Sequence, residues 1–331
     1  MATGRLVALF DDTHGQPNWR QTGFPSRQLH SNLVGVTELL CGLGYECRAT
    51  GGQSLVEALP GCSLLIIPPP AGRYDARRER WSRDADTLFT ASELQAVLRF
   101  LEQGGCLLAF GYRFGDSFTQ TNLGELCQPL GCRLNDDAVI DVRVLRQTNP
   151  LHLHFDTPAE CLPCAWSRAG VGSVRWRPAA TFTMTPGFPM QPLVFSTGGN
   201  CLSFDRTLRR IRFDSLALAV AGVHGAGRFA LFGGPHVFEI GTFGLLGSAD
   251  NANFLRNILH WLESNDPLGE NLGVPTSPRR PEWHPPLLAR SSRELAQIEC
   301  KGRGAGTVLY VERLLRRTGM LKALARASWM P

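Results

Sequence analysis

Residues 5–16 read RLVALFDDTHGQ, an apolar run that stops at two aspartates. The run has the length of a buried strand. Leucine and valine then recur at spacings of 4, 3, 4 and 3 over 28–43, which predicts one apolar face of a helix. Residues 45–49 and the apolar run at 63–67 predict a second and a third strand. A strand, a helix and a strand with short connections predict a parallel α/β sheet.

The same alternation continues along the chain. Apolar patterns predict helices over 91–103, 121–130 and 250–262, and strands at 106–110, 138–145, 216–223 and 228–232. Residues 71–90 are polar and aperiodic, and we interpret them as a long surface loop that could act as a lid. Residues 150–215 combine frequent prolines with short β-like runs, which predicts an antiparallel insertion or extension of the sheet.

We predict three segments in the chain: an α/β domain over 1–264, a proline-rich linker over 265–290 and a basic helical tail over 291–331. Residues 275–331 carry a net charge of +7, whereas the whole chain carries +5, so the basic character belongs to the end of the linker and to the tail. The tail helix is expected to dock on the body or to contact a partner protein. An anionic membrane surface or a nucleic acid is the other alternative, and the sparse aromatics argue against nucleic acid.

The composition excludes several classes of protein. A hydrophobic share of 43% excludes wholesale disorder, and ten cysteines in 331 residues are too few for a disulfide scaffold. No apolar run is long enough for a transmembrane helix, and the N-terminus lacks a signal-peptide pattern, so we predict a cytoplasmic protein. Cys161 and Cys164 have CxxC spacing without a second ligand pair, so we predict no metal and no cofactor.

Polar residues follow three of the predicted strands. The carboxyl ends of parallel strands meet at one edge of a sheet, where ligands bind. Two imidazoles, a carboxylate and a guanidinium at that edge suit acid–base catalysis or a polar ligand. The catalytic candidates are His14, His236 and Asp11, and the ligand-binding candidates are Asp12, Gln16, Gly111, Tyr112, Arg113 and Gly234. The structural alternative is that these residues have no role in binding or catalysis. They would then only cap a loop, form tight turns or make hydrogen bonds that hold neighbouring segments in place.

The turn after 106–110 decides whether amidotransferase chemistry is available. A class I amidotransferase needs a cysteine in this turn, as in G-x-C-x-G. Here residues 110–115 read FGYRFG, so Tyr112 or Arg113 occupies the elbow, and neither is an acyl nucleophile. Cys106 lies at the start of the strand instead. The sequence also lacks a serine-hydrolase elbow, a P-loop, a dinucleotide-binding loop after a strand and an HExxH motif.

Three stretches resemble the GIFT-type domains of the class I glutamine amidotransferase-like superfamily. They are the opening strand with DxxHGQ up to Gln16, the Gly-Gly-strand-Gly element over 104–111, and a strand with Gly-Gly-Pro-His at 233–236 followed by DNANFLRNILHWL over 250–262. The resemblance covers roughly residues 5–264. It implies a three-layer, flavodoxin-like α/β/α fold without amidotransferase chemistry. It also implies binding of a sugar or another small ligand, in protein assemblies such as those of intraflagellar transport.

Three functions are compatible with these observations. The first is a non-amidotransferase domain that binds a small polar ligand, such as a carbohydrate, and contacts a protein partner through the tail. The second is a hydrolase or amidase that uses Asp11, His14 and His236 with an activated water. The third is a structural subunit of an assembly. The hydrolase requires His14 and His236 to lie within about one hydrogen-bonded contact, or one water, of a shared reacting atom.

Overall fold

The computed structural model describes residues 6–14, 33–75, 80–141, 155–196, 201–205, 210–212, 216–240, 244–264 and 268. The predicted tail and nearly all of the predicted linker lie outside the described residues, as does Gln16. Within the described part of the chain, no helix is long and apolar enough to cross a membrane.

A nine-stranded mixed sheet forms the centre of the described structure, in the order β2-β1-β3-β6-β16-β15-β11-β7, with β12 paired to β15. The strands are β1 Val7–Phe10, β2 Glu46–Ala49, β3 Leu64–Ile67, β4 Arg73–Asp75, β5 Arg80–Ser82, β6 Cys106–Phe110, β7 Cys132–Leu134, β8 Asp137–Asp141, β9 Phe155–Pro158, β10 Ser173–Trp176, β11 Phe182–Met184, β12 Met190–Phe195, β13 Cys201–Asp205, β14 Arg210–Arg212, β15 Ala217–His224 and β16 Gly227–Phe232. Five adjacent strands of this sheet are parallel to one another: β2, β1, β3, β6 and β16. This confirms the predicted parallel arrangement.

Helices cover both faces of the sheet. They are α1 Val34–Gly42, α2 Leu55–Ala58, α3 Ala91–Glu102, α4 Gly115–Thr119, α5 Leu123–Cys127, α6 Ala165–Arg168 and α7 Asn251–Glu263. In β1, Phe10 points into the core cluster that contains Val36 of α1 and Ile258 of α7, whereas Leu9 points into the cluster that contains Val97 of α3. Successive strand residues face opposite sides of a sheet, so the central strands β1, β3, β6 and β16 are buried on both faces and read as apolar runs, whereas the edge strand β2 is only partly buried. The fold is the predicted three-layer α/β/α arrangement.

The predicted β-rich region over 150–215 extends the sheet, as far as its residues are described. Strands β11 and β12 both pair with β15 in the antiparallel sense. Strand β13 pairs with β8 and β14 in a separate three-stranded sheet, and β9 pairs with β10. The buried carboxylate of Asp137 joins the sheets, because it accepts hydrogen bonds from Thr181 near β11 and from Ser203 in β13.

The interpretation of 71–90 as a surface loop is wrong for residues 73–75 and 80–82, which form strands β4 and β5. Strands β4 and β5 pair there as an antiparallel hairpin. Gly72 approaches this hairpin so closely that a Cβ atom on it would lie 2.3 Å from the Ser82 carbonyl oxygen. Trp81 packs against the apolar cluster that includes Ala71 and Tyr112. The hairpin is therefore packed beside the carboxyl end of β6, a tertiary contact that its polar sequence does not reveal.

Candidate functional site

The carboxyl ends of β1, β3, β6 and β16 lie at one edge of the sheet, as predicted. Asp11 follows β1, Gly111 follows β6 and Gly233 follows β16. Neighbouring strands are about 4.8 Å apart, so the ends of β1 and β16, separated by three strand steps, lie about 14 Å apart. The candidate residues accordingly fall into two groups, one beyond β1 and one beyond β6 and β16.

The group beyond β1 is a buried histidine held between two carboxylates. The Nδ1 atom of His14 lies 2.7 Å from Oδ2 of Asp11, and its Nε2 atom lies 3.5 Å from Oε2 of Glu93. The imidazole stacks on the Phe89 ring at a centroid distance of 3.8 Å. The side chain of His14 is only 2% exposed. This arrangement matches the structural alternative for Asp11 and His14 more closely than an open catalytic pair.

The helix α3 supplies the second carboxylate of this group. Thr90 and Glu93 form a capping box at the start of α3, and Glu93 also accepts a hydrogen bond from the Leu55 backbone N–H at 3.2 Å. The T-x-x-E spacing could have predicted the capping box, but no local signal places Glu93 against His14. Burial alone would raise the pKa of the Glu93 carboxyl, and these hydrogen bonds together with His14 lower it below its usual range.

The charges around His14 favour its protonated form. Burial alone would lower the pKa of the imidazole. The hydrogen bond to Asp11 and the negative charges of Asp11 and Glu93 outweigh burial, so the pKa of His14 is raised above its ordinary value of 6.5. The contacts with Asp11 and Glu93 tie the residue after the end of β1 to the start of α3, and they occupy both ring nitrogens of His14, which leaves neither for a substrate.

Asp12 points toward β2 rather than toward a cleft. Its Oδ1 atom accepts hydrogen bonds from the Thr50 hydroxyl and, at 3.0 Å, from the Gly51 backbone N–H. Its own backbone N–H donates to the Thr50 hydroxyl at 3.1 Å. Asp12 therefore ties the end of β1 to the turn after β2.

The group beyond β6 and β16 brings together Tyr112, Arg113 and His236. The rings of Tyr112 and His236 meet edge to face at a centroid distance of 5.6 Å, and the guanidinium carbon of Arg113 lies 5.2 Å from the Tyr112 centroid. The Nδ1 atom of His236 is hydrogen-bonded to Oε2 of Glu239, three residues further along. The side chain of His236 is 13% exposed, so this imidazole retains access to solvent.

Arg177 follows β10 by one residue, and its charge interacts with the charges of this group, although no motif predicts it. Its pKa is lowered by burial and by the neighbouring charge of Arg113, and Glu239 and Tyr112 act in the opposite direction. The side chain of Asn251 holds the two segments together, because its amide donates to the carbonyls of Arg175 and Val237 at 2.9 Å each. His236-x-x-Glu239 spacing could have predicted the histidine–carboxylate pair, but Arg177 and Asn251 are distant in sequence.

The candidate glycines are explained by close packing. A Cβ atom on Gly111 would lie 3.1 Å from a methyl carbon of Leu134, and one on Gly234 would lie 3.2 Å from the Cβ atom of Ala179. A Cβ atom on Gly233 would lie 1.9 Å from the Ala180 carbonyl oxygen. These glycines allow the segment that bears Arg177 to approach the end of β16.

The elbow after β6 holds no described cysteine. Tyr112 is 4% exposed there and packs in the cluster that contains Phe118. Cys106 lies at the other end of β6, where its thiol donates to the Leu262 carbonyl at 2.9 Å and burial raises its pKa to about 11. Burial also raises the pKa of Cys161 to about 11 and that of Cys164 to about 12. The described residues contain no group of three or more side chains that could hold a metal ion.

A cavity of about 480 Å³ lies at the opposite edge of the sheet, at the amino ends of the strands. Its charged lining residues are Arg228 and Glu263. Arg228 donates to the Trp261 carbonyl at 2.7 Å and to the Ser264 hydroxyl at 3.0 Å and stacks over the Trp261 ring, and Glu263 is hydrogen-bonded to Tyr45. Because these groups already bind one another, the carboxyl edge offers the richer chemistry for a ligand.

The sequence matches no family model and no curated protein. Among solved structures, the mmIFT52 N-terminal domain aligns with a TM-score of 0.59 at 20% identity, over 78% of this chain and 98% of that chain. A cytoplasmic protein from Salmonella typhimurium LT2 aligns with a TM-score of 0.45 at 15% identity, over 78% and 99% of the two chains. A protein described as ThuA-like, from Bacteroides uniformis, aligns with a TM-score of 0.42 at 13% identity, over 82% and 97%.

The first likeness shows the fold and not the function, because its identity is 20%. Together with the observed sheet order, it shows a flavodoxin-like α/β fold.

Proposed function

We propose that this chain is a GIFT-type domain that binds a small polar ligand at the carboxyl edge and acts in a protein assembly, without amidotransferase chemistry. The observation that carries the proposal is the content of the elbow after β6. Where the chemistry needs a cysteine, this chain has the buried Tyr112, and Arg113 and His236 lie beside its ring. In this proposal, the turn after β6 carries no nucleophile and instead forms one side of a binding site.

A carbohydrate suits this side of the site. Ligand sites combine apolar or aromatic surfaces with a few placed polar groups. The half-buried Arg113 and His236 supply hydrogen-bond donors and acceptors at this edge, and the buried Tyr112 ring packs against both side chains from behind. Gly111 and Gly234 support the site through close packing. The resemblance to GIFT-type domains points to the same class of ligand.

The assembly role rests on the family resemblance and on the basic tail. We propose that 1–264 is the ligand-binding body with 150–215 as its β-rich extension, that 265–290 is a linker, and that 291–331 contacts a protein partner. The cytoplasmic location predicted from the sequence remains part of this proposal.

The geometry does not favour the hydrolase alternative. That mechanism requires His14 and His236 to serve one reacting atom. Each ring nitrogen of His14 faces a carboxylate, of Asp11 or of Glu93, and the side chain is 2% exposed. The strand ends that carry the two histidines are also about 14 Å apart.

A thermal-shift screen of the full chain tests the proposal. The library contains sugars, nucleotides, amino acids and divalent metals. A ligand at about 100 times its Kd adds about 2.7 kcal/mol to the free energy of unfolding. We expect a sugar to raise Tm in the wild type and in His224→Ala, whose histidine lies at the end of β15, but not in His236→Ala. A shift that survives in His236→Ala would place the site elsewhere, and no shift with any compound would favour the structural-subunit alternative.

A further inference from the structure

Two cysteine thiols meet on the surface between α1 and β2. The Sγ atom of Cys41, near the end of α1, lies 3.9 Å from the Sγ atom of Cys47, in β2. Cys41 is exposed, and Cys47 is partly exposed. The sulfur atoms of a disulfide are about 2.05 Å apart, so these two thiols are neighbours without being bonded. Because Cys41 is exposed, its side chain can change rotamer and close the remaining gap without displacing core atoms.

The turn between the two cysteines is held by backbone hydrogen bonds. The Gly44 N–H donates to the Cys41 carbonyl at 3.0 Å, and the φ angle of Gly44 is +90°, which glycine adopts without strain. The Glu46 N–H donates to the Leu6 carbonyl at 2.8 Å, which fixes the start of β2 beside β1. The fold therefore keeps the two sulfur atoms close together in the reduced protein.

Four other cysteines lie where their thiols react poorly. Burial raises the pKa of Cys106 and Cys161 to about 11 and that of Cys164 to about 12. Burial also raises the pKa of the Cys62 thiol, which donates to the Ala58 carbonyl at 3.4 Å. Three more described cysteines are buried: Cys127, Cys132 and Cys201. A thiol reacts as its thiolate, so a raised pKa slows oxidation, whereas exposure beside a second thiol is typical of a redox-sensitive cysteine.

We propose that Cys41 and Cys47 form a reversible disulfide when the protein meets a hydroperoxide, with Cys41 oxidised first because it is the more exposed thiol. The disulfide joins the last turn of α1 to β2. This inference is independent of the proposed function, because it requires no ligand at the carboxyl edge of the sheet.

The reaction has two steps. The Cys41 thiolate attacks the terminal oxygen of the hydroperoxide, the O–O bond breaks, and an alcohol or water leaves with the thiol proton, so Cys41 becomes a sulfenic acid. The Cys47 sulfur then attacks the Cys41 sulfur, the S–O bond breaks, and the hydroxyl group leaves as water with the Cys47 proton. The two thiols lose two electrons in total, and the hydroperoxide gains them.

The test is peptide mapping of the full chain after treatment with hydrogen peroxide. Remaining thiols are alkylated, and the protein is cleaved after glutamate without reduction. Cleavage after Glu38, Glu46 and Glu57 places the two cysteines in separate peptides, 39–46 and 47–57, each with one cysteine. We expect these two peptides to be joined in the oxidised protein and to separate after dithiothreitol. The oxidised protein should still migrate as a single chain on a denaturing, non-reducing gel.

Variants assign the roles of the two thiols. Cys41→Ser and Cys47→Ser should each abolish the joined peptides. In Cys47→Ser, the sulfenic acid on Cys41 should accumulate and be trapped by dimedone, because the second thiol is missing. Cys62→Ser is the matched control, since it removes another partly exposed thiol, and it should form the joined peptides like the wild type. If Cys47→Ser does not fold, Cys41→Ser still tests the pair, because residue 41 is exposed.

The outcomes decide the proposal. Joined peptides that are lost in Cys41→Ser and kept in Cys62→Ser support it. Three results would overturn it: both thiols stay reduced, Cys41 proceeds to a sulfinic acid without joined peptides, or Cys41 is linked only to a second copy of the chain. A sulfenic acid that forms on Cys47 in Cys41→Ser as readily as on Cys41 in Cys47→Ser would contradict the assigned order of oxidation.

Discussion

Two histidine–carboxylate pairs stand at the carboxyl edge of the sheet, and in each the partners are three residues apart. Asp11 and His14 lie beyond β1, and His236 and Glu239 lie beyond β16. The side chain of His14 is 2% exposed, because Glu93 and Phe89 lie against it. The side chain of His236 is 13% exposed and borders Tyr112. The same local pair is therefore closed by helix α3 at one strand end and left accessible at another.

The largest difference between the two pairs should appear in stability. His14→Ala leaves Asp11 and Glu93 buried without their cation, and removing one partner of a buried pair costs about 3–5 kcal/mol. His236→Ala should cost less, about 1–3 kcal/mol, because it removes a hydrogen bond from one buried carboxylate rather than from two, and the imidazole is partly exposed. Urea unfolding of the two variants measures both values. Equal losses in the two variants would remove the distinction between a closed and an open pair.

The second prediction breaks the close packing that positions the open site. In Gly233→Ala, the new Cβ atom would lie 1.9 Å from the Ala180 carbonyl oxygen, so the segment that carries Arg177 must move. Overpacking of this kind costs about 1–3 kcal/mol. Gly247→Ala is the control, because its Cβ would have nothing within 4 Å, and it should stay within about 0.5 kcal/mol of the wild type. A Gly233→Ala variant as stable as Gly247→Ala would contradict the assigned contact.

The third prediction concerns how the stability contributed by the contacts of His14 with Asp11 and Glu93 depends on pH. The folded-state pKa of His14 is raised, so its stabilisation is full below its ordinary value of 6.5 and is lost as pH rises through the folded pKa. The folded-state pKa of Glu93 is lowered, so its stabilisation is full above its ordinary value of 4.5 and is lost as pH falls through the folded pKa. The stability difference between the wild type and His14→Gln should therefore be largest between these two values. A difference that grows with rising pH in urea unfolding would refute the ion pairing.

The smallest effect should come from the cap that orients Glu93. Thr90→Ala removes the side-chain half of the capping box, which costs about 1 kcal/mol. Ser54, the residue before α2, makes no side-chain cap hydrogen bond, so Ser54→Ala should change the free energy of unfolding by less than about 0.5 kcal/mol. If the two variants lose the same stability in urea, the cap does not support the closed pair.

Much of the fold was predictable, because buried parallel strands leave a plain signal. The runs VALF, LLII, CLLAF and GRFALF became β1, β3, β6 and β16 with nearly the predicted bounds. The β4–β5 hairpin was missed, because its short polar strands depend on packing of Trp81 against a distant cluster.

The site was predictable only in its local parts. The spacing of Asp11 and His14, and of His236 and Glu239, lies within one loop each, so the sequence carries it. The charged residues around each pair come from segments that are distant in sequence. Glu93, next to His14, belongs to α3, and Arg177, whose charge interacts with Glu239, belongs to the segment after β10. Sheet order also separates the two pairs, and no pattern in the chain indicated that β3 and β6 lie between β1 and β16.

The central claim is that the pair beyond β1 is closed and the pair beyond β16 is open. Carbethoxylation of histidines by diethyl pyrocarbonate at about pH 8, mapped by peptide mass spectrometry, tests it within one molecule. The exposed His260 of α7 is the internal reference. We predict that His236 is labelled in the folded protein, more slowly than His260, and that His14 is labelled only after unfolding in urea. Labelling of His14 in the folded protein as fast as His260, or protection of His236 equal to that of His14, would contradict the account.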